Sequence, residues 1–343
     1  MRQLLNTLYV TTEPSYLRLD HDTVRLEVEG DKKAQIPLHH LGAIVCFGNV
    51  LVSPALMGRC AADGRAVVFM SSTGRFRARV QGPQSGNVLL RQAQYEQAES
   101  EADRASIARA CVAGKVQNSR RMVVRAARSV DDADRQADLQ ATAKRLARTL
   151  NTLETASDTD TVRGLEGEAA KTYFEVLNHH IRQQRDAFQM NGRSRRPPRD
   201  RFNAVLSFLY TVLLNDCVSA AEGVGLDPQM GFLHRPRPGR PSLALDLMEE
   251  LRAPVADRLA LTLINRRQLT PDDFRTPEGG AVLLNDDGRK TVITAYQERK
   301  QQTVTHPFLD QSMEIGLIPH AQARLLARTL RGDMDAYIPY LVR

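Results

Sequence analysis

The sequence predicts an α+β chain: a small N-terminal β-strand domain over 1–86, then a larger all-α-helical domain over 87–343. Three observations carry this. Up to about residue 90, short alternating or continuous apolar segments are punctuated by Gly, Asp and Ser, the habit of strands. From residue 88 onward, long stretches rich in Ala, Leu, Gln and Arg repeat with helical period. A length of 343 residues also suits two cores better than one.

In chain order, Thr23-Val-Arg-Leu-Glu-Val28 alternates as a half-buried strand should, and Glu29-Gly30-Asp31 ends it. Ala43–Phe47 and Ala66–Met70 are continuous apolar runs, as in strands covered on both faces, with a short helix expected over Pro54–Ala62. Ser71–Gly74 turns into Arg75–Val80, where Arg75, Arg77 and Arg79 share one face. They form either a solvated edge strand that resists aggregation or a basic ribbon facing phosphate. Gly82–Gly86 reads as the joint. Helices follow over 88–128, 132–156, 164–190, 201–223, 242–265, 284–302 and 318–330. Loops remain at Asn191–Asp200, with four arginines around Pro-Pro, and at Leu269–Asn285, a mixed polar segment expected to move.

The four cysteines lie far apart without a CxxC pair, which argues for buried reduced thiols and against a cysteine zinc site. The first twenty residues lack a signal-peptide core and no run of about 18 apolar residues occurs, so a cytoplasmic protein without a membrane span is expected. The net charge of +7 is unevenly spread. Residues 190–240 hold eight arginines against four acidic residues, a patch suited to a polyanion. GxxxxGK[ST], GxGxxG and GxSxG are all missing, leaving nucleotide hydrolysis, dinucleotide cofactors and a serine nucleophile elbow without support.

The stretch Gly231–Glu250 concentrates the chemistry. His234 sits in a loop with Arg235, Arg237 and Arg240; Ser242 is the expected N-cap of a helix carrying Asp246, Glu249 and Glu250. The adjacent arginines favour a neutral imidazole fit to ligate a metal, but a loop histidine can equally just bond to backbone. Acidic residues early in a helix can likewise simply face water. Farther upstream, Glu166 falls on the apolar stripe Glu166, Ala169/Ala170, Tyr173, Leu177, whereas Glu168, Lys171 and Glu175 fall on the opposite side. A carboxylate on a buried stripe must be paired, protonated or metal-bound, unless it serves only the helix dipole. One histidine with two or three carboxylates suits Mg²⁺ or Mn²⁺ better than a structural zinc site.

At these residues the chain resembles the CRISPR-associated endonuclease/integrase family, the metal-dependent nuclease of spacer acquisition, in a style similar to its type I-C branch. The likeness runs through His40–Val50, Lys115-Val-Gln-Asn-Ser-Arg-Arg121, Arg163–Ala170, Arg196–Tyr210, Gly231–His234, Ser242–Arg252 and Asp287–Lys290. The loop after His234 is slightly longer than the family's, and Arg201 stands where proline is frequent. The resemblance implies that Glu166, His234 and Glu249 hold the Mg²⁺ or Mn²⁺, with Asp246 a further acidic position of the catalytic site. It implies homodimers formed through the β-domain, and a heterohexamer in which two of them flank a dimer of a second, smaller CRISPR adaptation protein. It also implies insertion of short double-stranded DNA into the leader–repeat end of a CRISPR array. Arg193, Arg195, Arg196, Arg199, Arg235, Arg237 and Arg240 are then the expected DNA contacts. Two other readings stay open: a catalytically idle DNA-binding scaffold, and a hydrolytic repair nuclease that uses water.

Overall fold

A computed structural model describes residues 6–82 and 88–342. Its first part holds β1 (Asn6–Val10), β2 (Ser15–Asp20), β3 (Thr23–Val28), β4 (Asp31–Pro37), β5 (Leu41–Phe47), β6 (Val50–Val52), α1 (Pro54–Ala62), β7 (Ala66–Met70) and β8 (Phe76–Val80). They form two four-stranded sheets, ordered β4-β3-β2-β6 and β1-β5-β7-β8. In the first, β6 lies parallel to β2 beside an antiparallel β2–β3–β4 meander. In the second, β1, β5 and β7 are parallel and β8 closes the edge antiparallel to β7.

Side chains alternate across a strand, so β5 and β7 serve two cores at once. Ile44, Cys46 and Val67 join Leu17, Val24, Leu56 and Cys60 between the sheets and α1. Val45, Phe47, Val68 and Met70 point the other way, into the main helical core. This is why both strands read as unbroken apolar runs. Arg75, just before the edge strand β8, and Arg77 within it are exposed, which both readings of this ribbon allow, while Arg79 pairs with Glu222 across the sheet–helix boundary at 2.6 Å. Gly74, at φ +84°, lets the β7–β8 turn close on Phe208, whose ring would lie 2.7 Å from any Cβ placed there. Of the expected joint only Gly82 is described; residues 83–86 lie outside the described residues.

The rest is helical: α2 (Val88–Glu99), α3 (Glu101–Ala127), α4 (Ala133–Glu154), α5 (Thr159–Glu175), α6 (Arg185–Phe188), α7 (Arg201–Val224), α8 (Ser242–Leu251), α9 (Arg258–Asn265), α10 (Asp286–Gln301) and α11 (Ile318–Leu330). Two short antiparallel ribbons interrupt it, β9 (Phe274–Arg275) with β10 (Leu283–Leu284), and β11 (Thr303–Thr305) with β12 (Ser312–Glu314).

Four departures from the sequence reading have local causes. The helix expected over 88–128 breaks at Ser100, whose hydroxyl caps the new N-terminus at Asp103 N. The helix carrying Glu166 starts at Thr159, earlier than expected, because Asp158 caps it through Thr161 N at 2.8 Å. The helix expected over 242–265 carries a π-helical turn at Arg252–Asp257, around Pro254, which has no N–H for the regular ladder. Ser242 is the first residue of α8 rather than its cap, and its hydroxyl donates instead to Arg235 O at 3.2 Å.

The helix α7 is long and apolar enough by length and composition to cross a membrane. Yet 61% of that window is buried inside the protein, and Phe202, Val205, Leu209 and Leu213 are core residues. The Phe208 ring stacks on Phe47 of β5 at 5.9 Å, joining this helix to the sheet.

Candidate metal centre

Three helices converge on the site. From α3 comes Lys115, from α5 Glu166 and from α8 Asp246 and Glu249, while the 231–234 loop brings His234 alongside. Glu166 shares the inward face of α5 with Val162, Ala169 and Tyr173, whereas Glu168, Lys171 and Glu175 are exposed. The acidic residues of α8 do not face water: Asp246, Glu249 and Glu250 are all buried, because neighbouring elements cover α8 on every side.

Asp246 fixes the histidine loop. Its Oδ2 accepts from Phe232 N at 2.6 Å and Leu233 N at 3.0 Å, and its Oδ1 from His234 N at 2.9 Å. The same Oδ1 lies 2.6 Å from His234 Nδ1, so the neutral imidazole carries its proton there and turns a bare Nε2 lone pair to the other side. Gly231 lets the loop lie this close, since a Cβ there would stand 2.8 Å from Asp246 Oδ2. On the far side Nε2 faces Glu249 Oε1 at 3.7 Å.

Burial opposes ionisation of Glu249, but Arg252 and Lys115 outweigh it and hold the carboxyl down at about 2. Oε1 takes Arg252 at 2.9 Å and Oε2 takes Lys115 Nζ at 2.7 Å. Among the described residues Lys115 is thus the one group that engages the buried Oε2. Lys115 also pairs with Glu166 Oε1. Among the described residues no three His, Cys, Asp or Glu side chains are already closed into a metal cage. The donor chemistry nevertheless fits a hard divalent cation: an ionised, buried carboxylate, a second carboxylate joined to it through one ammonium, and an imidazole nitrogen oriented from behind by Asp246.

Two of these groups carry no role in the sequence reading. Lys115 lies on the buried stripe Ala108, Cys111, Val112, Lys115 and Ser119 of α3, the same kind of signal that singles out Glu166. Arg252 lies one turn after Glu249, its guanidinium 4.8 Å from the Tyr210 ring centre. Glu250, next to Glu249 in the chain, has another job. It accepts from Tyr337 Oη and Tyr340 N, each at 2.6 Å, and pins the C-terminal segment.

The seven arginines divide. Arg193 is a strut, donating to Ser194 O and Asn203 Oδ1 at 2.7 Å and stacked between Phe174 and Tyr210. Arg235 is exposed but pairs with Asp160 at 2.8 Å. Arg195, Arg196, Arg199 and Arg237 are exposed. Partial burial lowers the Arg240 pKa, and repulsion from Arg237, Arg196 and Arg195 adds to it against the pull of Asp246. A 400 Å³ cleft bordered by His234, Arg163 and Arg235 opens on the same region. A larger cavity, 680 Å³, lies elsewhere, between the sheets and α7, where Arg79 and Lys300 are already paired with Glu222 and Asp216.

Comparison with known proteins agrees over almost the whole chain. The family described as CRISPR associated protein Cas1 matches residues 8–298. The "CRISPR-associated endonuclease Cas1 1" of Moorella thermoacetica is 55% identical over 100% of both chains, and the "CRISPR-associated endonuclease Cas1 2" of Rhodospirillum rubrum 53% identical over 99% of both. In fold, a CAS1 protein from Thermotoga maritima superposes with a TM-score of 0.82 at 24% identity, covering 96% of this chain and 97% of that one. A casposase bound to integration product gives 0.83 at 18% identity, covering 97% and 93%. A chain of a Cas6-RT-Cas1–Cas2 complex gives 0.84 at 21%, covering 99% of this chain and 36% of that one. The chain belongs to the CRISPR associated protein Cas1 family.

Proposed function

We propose that this chain is the metal-dependent DNA endonuclease and integrase of CRISPR adaptation, with one cation held by Glu166, His234 and Glu249. The observation that carries the reading is the Asp246–His234 pair, which aims a bare Nε2 at the ionised, buried Glu249. A bound Mg²⁺ or Mn²⁺ would supply Lewis-acid stabilisation of charge on a phosphate oxygen. The chain's own residues do the rest. Asp246 holds the imidazole in register, and Arg252 fixes the Glu249 carboxylate from behind at 2.9 Å. Arg195, Arg196, Arg199, Arg237 and Arg240 lead DNA phosphates to the site, while Arg193 stiffens the loop they stand on. The nucleophile in integration is a DNA 3′-hydroxyl, and in simple cleavage it is water.

Names among the similar proteins support this reading: relatives at 55% and 53% identity are called endonucleases, and one structural neighbour carries an integration product. A neighbour in complex with Cas2 supports a small second adaptation protein as partner, here in a cytoplasmic heterohexamer built on β-domain homodimers. The test is His234→Ala. The expected outcome is loss of both cleavage and strand transfer, with melting temperature and DNA affinity close to wild type, because a loop imidazole that is 20% exposed leaves no core cavity. A variant that unfolds returns His234 to a structural role. One that still transfers strands removes His234 from the catalytic site, and a wild type that binds DNA without cleaving or transferring it points to the scaffold reading.

A further inference from the structure

We infer that Lys115 competes with the divalent cation for the same two glutamates, so that this lysine sets how tightly the site takes metal. The inference rests on the metal reading above and adds to it a residue that the ligand set does not contain. Lysine is almost never buried without a partner. Here the side chain is 11% exposed, and its ammonium joins Glu166 Oε1 to Glu249 Oε2, tying α5 to α8 from its own place on α3.

Those oxygens are the ones a shared cation would need. Glu249 Oε1 is already engaged by Arg252 at 2.9 Å. A protonated amine offers three donors and no lone pair, so it cannot join a coordination shell, and at contact distance it repels a dication. One cation has to yield. Arg252 is held by its stacking on the Tyr210 ring at 4.8 Å, whereas Lys115 sits on a flexible four-carbon stem that can swing away. Charge points the same way. Two carboxylates, Lys115 and Arg252 balance one another, and removing the lysine charge leaves a net negative pair for the metal to neutralise.

The experiment is a Mn²⁺ titration of the full-length protein by calorimetry, on wild type, Lys115→Met, Lys115→Gln and His234→Ala, each first checked for folding by circular dichroism. The glutamine variant keeps a polar group against the carboxylates should the methionine variant not fold. Mn²⁺ is expected to bind either neutral variant roughly tenfold or more tightly than wild type. His234→Ala is expected to bind it more weakly. Unchanged or weaker Mn²⁺ affinity in a folded Lys115 variant, with wild-type binding still sensitive to His234→Ala, overturns the competition and leaves the metal site standing. Wild-type binding indifferent to His234→Ala removes the metal reading, and this inference with it.

Discussion

Single buried carboxylates do different work depending on what faces them. Asp246 and Glu249 lie one turn apart on the same helix, yet Asp246 is filled by three backbone N–H groups and an imidazole, while Glu249 meets mainly cations. The sequence marked both as acidic and near a histidine. It could not separate them, because the separation depends on how the 231–234 loop wraps α8. Behind the site, Asp257 receives Tyr210 Oη at 2.6 Å and Tyr173 Oη at 3.0 Å, and burial raises its carboxyl to about 6. An unfolded aspartate titrates near 3.8, so between these values the folded chain keeps a proton that the unfolded chain has lost. The stabilisation is full below about pH 3.8 and is lost as pH rises through about 6, a swing of about 3 kcal/mol. Urea unfolding across pH 4 to 7 should therefore show Asp257→Asn gaining on wild type by about that amount as pH rises. A difference that stays flat across the window would mean that Asp257 is ionised in the fold.

At the level of elements, periodicity was a good guide wherever one face of a helix or strand meets one core. Thr23–Val28, Pro54–Ala62 and Ile318–Leu330 fall where alternation and amphipathic spacing place them. It failed at boundaries set by caps and at the π turn, where one side chain or one missing N–H decides the outcome. The early start of α5 is such a case, and it matters because α5 delivers Glu166. Asp158 holds that start through Thr161 N and Thr161 Oγ1, and Glu101 adds a bond to Thr159 N at 2.7 Å. Asp158→Ala should cost about 1 kcal/mol in chemical denaturation, as cap removals do, and leave strand transfer near wild type. A loss of activity out of proportion to that cost would show that the helix start also sets the position of Glu166.

For the whole molecule, composition located the basic patch but not how its members divide. Arg193 and Arg195 look alike in sequence, and only the packed fold shows one as a strut between two aromatic rings and the other as open to solvent. Replacing Arg195, Arg196 and Arg199 together with alanine should weaken duplex DNA binding regardless of sequence. The slope of log K against log salt should shrink by roughly 0.9 for each DNA phosphate that the variant no longer neutralises. Unchanged slope and affinity would move the DNA path to the exposed Arg75 and Arg77 at the start of β8. Lys115 was within reach of the reasoning that singled out Glu166, since a charged residue on a buried stripe demands a partner; which partner depends on three helices meeting. The central claim is that meeting point. The most direct measurement is anomalous diffraction at the manganese edge from crystals of the full-length protein grown with Mn²⁺. The expected result is a peak bonded to Glu166, His234 Nε2 and Glu249 at about 2.0–2.3 Å. A peak that leaves out His234 or either glutamate, or manganese bound only elsewhere, would contradict it.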